Sequence, residues 1–196
     1  ISAYYISEIG TAPSSSNSGW TSVTSSPNFS STISFTLTGA SSAGSYSRTV
    51  YAWFKDDAGN VSSSASDEIT LIINDTTNPS NPIIIVNNGD SSTNSTVVTL
   101  ALSATDNVGI TAYYASENNS TPTSNASGWN SVTSSASYSD NVSFSLLSTG
   151  SAGTFPRTVY IWFKDATGNV SSYSSDAINL VVTDTTAPAS PSISIN

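Results

Sequence analysis

The sequence contains no cysteine and no histidine, and its 196 residues include only four basic side chains, Arg48, Lys55, Arg157 and Lys164. Without cysteine there is no disulfide framework and no thiol chemistry. Histidine is gone with it, so the usual general base and nucleophilic thiolate are both missing. Four cations against 13 acids, a net charge of −9, cannot neutralise a run of phosphates. Nucleic acid is therefore excluded as a partner, and an anionic membrane surface is equally ill matched. No apolar run approaches a membrane span, and no charged-then-apolar leader opens the chain at Ile1, which reads as the middle of something longer. No glycine-rich phosphate loop or metalloprotease motif appears. The acids fall mostly at strand ends and turns, so a paired-carboxylate glycosidase finds no dedicated pair. The expectation is that the chain is not an enzyme.

What is present points to strands. Seryl and threonyl residues make up roughly a third of the chain and leucine is scarce, a composition that favours strands and turns over helices. So polar a chain could be disordered. Its aromatic residues, however, cluster inside alternating strand patterns such as Thr158-Val159-Tyr160-Ile161-Trp162-Phe163, which argues for folding.

The strongest signal is an internal repeat. Ile1-Ser2-Ala3-Tyr4-Tyr5 recurs as Ile110-Thr111-Ala112-Tyr113-Tyr114, Ser18-Gly19-Trp20 as Ser127-Gly128-Trp129, and Arg48-Thr49-Val50-Tyr51 as Arg157-Thr158-Val159-Tyr160. The offset, 109 residues from Ile1 to Ile110, also carries Trp53-Phe54-Lys55-Asp56 onto Trp162-Phe163-Lys164-Asp165 and Asp75-Thr76-Thr77 onto Asp184-Thr185-Thr186 without a gap. Roughly half of the aligned positions are identical, as in a tandem array.

Within the second copy, strands are expected at about 83–87, 96–105, 110–117, 129–133, 137–147, 157–165 and 176–183, bounded by Gly, Pro, Asn and Ser clusters. The expected organisation is a repeat at 1–74 that lacks its first two strands, a linker at 75–82, a complete repeat at 83–183, and a linker with the first strand of a following repeat at 184–196. Pro191-Ser192-Ile193-Ser194-Ile195 matches Pro82-Ile83-Ile84-Ile85-Val86, which marks Ile193, Ile195, Ile84 and Val86 as assembly positions. Two arrangements would complete the ends: continuation of a long covalent array, or exchange of strands between subunits. Partners are then further repeats of the same chain or copies of it.

The segment Val159-Tyr160-Ile161-Trp162-Phe163-Lys164-Asp165-Ala166-Thr167-Gly168-Asn169-Val170-Ser171, together with the linker Asp184-Thr185-Thr186-Ala187-Pro188, resembles the bacterial immunoglobulin-like tandem repeats of large extracellular and surface proteins. The resemblance covers both copies. It implies an all-β fold of tandem immunoglobulin-like Greek-key β-sandwiches, about seven strands per 109-residue repeat. It also implies an extracellular or cell-surface location, with which the lack of cysteine is compatible. Such modules serve as stalks, filament subunits, spacers and adhesins, so the expected function is a structural stalk or filament, with an adhesin or carbohydrate-binding module as the alternative.

Candidate sites follow from this frame. No cofactor is required. Calcium prefers several carboxylate and carbonyl oxygens, and the sandwich topology would bring linker Asp75 towards Asp106 and Asp165, with Asn107 and Asn169 adding amide oxygens to an interdomain calcium site. The same aspartates could instead cap turns. Sequons occur at Asn28, Asn60, Asn74, Asn94, Asn118, Asn119, Asn125, Asn141 and Asn169. They are candidate glycosylation sites on an exported surface, although serine and threonine are so common that most would arise by chance. Trp20 and Trp129 could stack on sugars, or be partial core. Both faces of the strand around residue 160 are apolar: core packing accounts for Tyr160 and Trp162, and Val159, Ile161 and Phe163 need a cover, either Trp129 with its loop or a neighbouring molecule. Arg157 with Glu117, and Arg48 with Glu8, should form salt bridges across paired strands.

Overall fold

The structure, a computed structural model, describes residues 1–195. It is nearly all β, with strands grouped into two compact units that divide between Asp75 and Thr76. Among the described residues no helix is long and apolar enough to cross a membrane.

The first unit is a four-stranded antiparallel sheet. It contains β1 (Ala3–Ser7), β2 (Thr21–Ser22), β3 (Gly44–Lys55) and β4 (Ala65–Ile73), in the order β2-β1-β3-β4. The second unit contains β5 (Ser80–Val86), β6 (Ser92–Thr93), β7 (Val97–Ser116), β8 (Asn130–Ser145), β9 (Gly153–Asp165) and β10 (Ser174–Val182). Their order is β5-β7-β9-β10-β6, with β8 on β7; among the described residues only the short β10–β6 pairing is parallel.

The seven strands expected in the second copy are all present, but two pairs are fused. Val97–Thr105 pairs with β5 and β8, and the same strand continues to pair through Ile110–Ser116 with β9. The register shifts between Thr105 and Ile110. Such an irregularity lets one strand leave one sheet and enter the facing one without a loop. β8 fuses the expected 129–133 and 137–147 strands in the same way. The linker is shorter than expected, because β5 already begins at Ser80 and pairs with Thr105.

Alternation along these strands builds the sandwich core. Ile84 and Val86 of β5, Val98, Leu100 and Leu102 of β7, Val159, Ile161 and Phe163 of β9, and Ile178 of β10 form one buried cluster. This corrects the expected assignment of the two faces of β9. Val159, Ile161 and Phe163 face the core, Phe163 with no exposed surface, and it is the Tyr160/Trp162 face that Trp129 helps to cover. Trp129 lies edge-on to Tyr114, Tyr114 lies edge-on to Trp162, and Tyr173 closes on both Tyr160 and Trp162. An indole with a polar N–H is best placed where it reaches a carbonyl at the rim, and Trp129 Nε1 donates to the Thr123 carbonyl at 2.8 Å.

The first unit repeats half of this architecture. At the 109-residue offset, β4 superposes on β10 residue for residue, β3 on β9 and β1 on the second half of β7. Residues 28–36, the counterpart of the β8 stretch 137–145, form no strand. In the second unit that stretch bonds to Val97–Thr105 of β7, and no such strand lies in the first unit. Likewise Pro191–Ile195, expected as a first strand, has no strand structure, and Ile193 and Ile195 are 90% and 87% exposed. A strand exists only where a neighbour accepts its backbone hydrogen bonds.

Candidate functional site

Asp165 ends β9 and begins a tight turn. Its Oδ1 accepts backbone N–H bonds from Thr167, Gly168 and Asn169 at 2.7 to 2.9 Å, and its Oδ2 accepts from the Asn169 amide at 2.6 Å. Gly168 sits at φ +92°, a conformation that favours glycine. The first copy uses the same device. Asp56 accepts the Asn60 N–H and side-chain amide at 2.8 Å each. The Asn60 side chain, helped by neighbouring backbone N–H groups, holds the Asp56 carboxyl below the usual carboxylate range.

Asp106 lies where β7 changes sheets. Its Oδ2 accepts from the Val108 and Gly109 N–H groups at 3.0 and 2.7 Å, whereas its Oδ1 is buried and has no hydrogen-bond partner among the described residues. Asp106 and Asp165 are both buried in the second unit, and one carboxylate oxygen of each lies within 4.8 Å of the other. Two of the five expected metal ligands are thus brought together within the second unit, and Asp75 is the last residue of the first. Asn169 serves as a donor orienting Asp165, and Asn107 is exposed beside Asp106. All four basic side chains are engaged elsewhere: Arg48 with Glu8 at 3.8 Å, Arg157 with Glu117 at 3.4 Å, Lys55 with the Ser15 carbonyl and Lys164 with the Ser124 carbonyl.

These pairings are themselves repeated. Trp20 donates to the Ser14 carbonyl as Trp129 does to Thr123, each at 2.8 Å. Lys55 and Lys164 stand over the Trp20 and Trp129 rings at 5.0 and 4.9 Å, and so occupy one face of each indole that a sugar would need. Ser62 and Ser171 accept the N–H of Phe54 and Phe163. Glu8 accepts the Thr38 N–H as Glu117 accepts that of Leu147; hydrogen bonding from Thr38, opposed in part by burial, holds the Glu8 carboxyl low.

Eight of the nine sequon asparagines are exposed; Asn169 is half-buried and committed to Asp165. Of the assembly positions, Ile84 and Val86 lie in the core of the second unit and Ile193 and Ile195 are exposed. One residue of consequence escaped the sequence reading. Asp176, inside β10, accepts the Val86 N–H on Oδ2 at 2.8 Å and so ties β5 across the sandwich. Its signal was there, since aspartate is depleted in strands and this one recurs at Asp67. Set against known proteins, the chain matches no family model, no curated protein and no solved structure.

Proposed function

We propose that the chain is a non-catalytic, extracellular structural repeat of immunoglobulin-like type, a segment of a surface stalk or filament whose work is mechanical and spatial. The observation that carries this reading is the duplication of the locks. The tryptophan tether, the lysine over its ring, the arginine–glutamate pair, the serine under strand β3 or β9 and the aspartate turn each recur at the same offset. Side chains whose chemistry is spent within each copy support the copy's own fold. Single-molecule extension of the 196-residue chain tests this: the locks predict a resolved force peak for the second unit. Micromolar retention of the chain on a glycan array, competed by the free sugar, would overturn it in favour of a carbohydrate-binding module.

A second reading rests on Asp106. A buried carboxylate oxygen with no donor is costly, and with the basic side chains occupied, a hard divalent cation such as calcium is the counter-charge that suits clustered carboxylates. Free calcium at a hundred times its dissociation constant would stabilise the fold by about 2.7 kcal/mol. The melting temperature of the second unit should therefore rise with calcium, less with magnesium, and fall back with a chelator. Asp106→Asn should abolish the rise. A melting temperature indifferent to millimolar calcium would refute the cation.

A further inference from the structure

The sheet of the first unit carries an apolar groove of about 440 Å³ on one face, lined by Ile6, Val50, Ala52 and Ile69, with Asp67 and Glu68 at its rim. The equivalents of Val50, Ala52 and Ile69 in the second unit are Val159, Ile161 and Ile178, and all three are fully buried core residues. What buries them is β5 together with the Val97–Thr105 part of β7: Ile84, Val86, Val98, Leu100 and Leu102 belong to the same cluster. No strand of that kind lies over the first unit's sheet among the described residues, and Ile69 is left 55% exposed.

We propose that this groove is a docking site for a two-stranded segment of the repeat's own pattern, the one that residues 80–105 display in this chain. Choosing a repeat segment as the occupant rests on the structural-repeat reading. Three observations on the molecule specify it. The groove has the apolar face that β5 and β7 cover in the second unit. Asp67 stands where Asp176 stands, and Asp176 accepts the backbone N–H of Val86 in β5; Asp67 has its Oδ1 on the Glu68 N–H, as Asp176 has its Oδ1 on that of Ala177, which leaves Oδ2 to receive the incoming strand. The stretch 28–36, tethered by Phe29 on Tyr4 and Phe54 and by Thr38 on Glu8, follows the β8 pattern and offers the docked segment an edge to bond. A lone strand such as Pro191–Ile195 would bring two apolar side chains and leave both its edges unpaired. Two strands bring five, with a ladder of their own.

The test adds a synthetic peptide of residues 78–109 to the 196-residue chain. Saturable one-to-one binding is expected, with slowed amide exchange in residues 28–36 and in β4. Asp67→Asn, which weakens the acceptor at an exposed position, should lower affinity about tenfold. Ile69→Lys should abolish binding while the second unit melts unchanged in both variants. No saturable binding, or equal affinity for the wild type and both variants, overturns the proposal. Glycan retention would instead overturn the structural-repeat reading, and it is read in a separate assay.

Discussion

Ile69 and Ile178 are the same residue at the same place in the repeat, and they should respond differently to the same truncation. Ile178 is 2% exposed and belongs to the sandwich core, whereas Ile69 is 55% exposed. Ile178→Ala removes buried carbon and leaves a cavity, which costs about 2 to 5 kcal/mol. Fully burying an isoleucine contributes only about 1.5 to 3 kcal/mol, so with less than half of its surface covered, Ile69→Ala should cost about 1 kcal/mol or less. For a domain of this size, at about 4 °C per kcal/mol, Ile178→Ala lowers the melting temperature by about 8 to 20 °C and Ile69→Ala by about 4 °C at most. Scanning calorimetry measures both, and exchange mass spectrometry assigns each transition to its unit. Equal losses at the two positions would refute the argument, because they would mean that the face carrying Ile69 is as well covered in solution as the core of the second unit. With the 78–109 peptide bound, Ile69→Ala should approach the cost of Ile178→Ala.

The Tyr138 hydroxyl is buried without a hydrogen-bond partner among the described residues. Burial, with Asp140 and Tyr113 adding, pushes its pKa up to about 12, and burial moves Tyr113 in the same direction. The unfolded phenol ionises near about 10, so the folded state holds the proton more tightly. The stabilisation this gives is complete below the unfolded value and is lost as pH rises through the folded one. A fall in urea midpoint across that alkaline window, absent in Tyr138→Phe, is the expected outcome. At neutral pH the same variant should be neutral or stabilising, by about 1 kcal/mol or more, since it removes an unsatisfied buried group; a lower midpoint would count against the burial. In the first unit, the depressed Asp56 carboxyl contributes stability above its unfolded pKa that is lost as pH falls through the folded one. Asn60→Ala should return the carboxyl titration, followed by NMR, towards the ordinary aspartate value; an unchanged titration would assign the depression to the backbone N–H groups alone.

Much of this was legible in the sequence because its signals are local. Alternation at Thr158–Phe163 fixed a strand, the Asp-x-x-Gly-Asn turn fixed its end, and the repeat registered one copy on the other. The closeness of Asp106 and Asp165 could be foreseen because the topology places the end of β9 beside the point where β7 changes sheets. Less legible was whatever depends on which surface meets which. Alternation says that Tyr160 and Phe163 point to opposite faces, but not which face is the core. That choice is made by Ile84, Leu100 and Leu102, far away in sequence, and by the rim carbonyl that holds Trp129 on the other side.

The stretch 28–36 takes this furthest. Residues 137–145 form a ladder with Val97–Thr105, and 28–36 does not form a ladder, although Phe29 packs on Tyr4 and Phe54 much as Tyr138 packs on Tyr113 and Phe163. Side-chain anchoring is thus shared between the copies, and backbone pairing is what separates them. Intrinsic strand preference is too weak to hold an unpaired strand, so the local sequence can specify readiness to be a strand while the partner supplies the state. If that is right, exchange protection in 28–36 will appear cooperatively with occupancy of the Ile69 groove and not before it. Protection of 28–36 in the chain alone, at the level of β3, would show that the stretch already has a partner and that its sequence is enough.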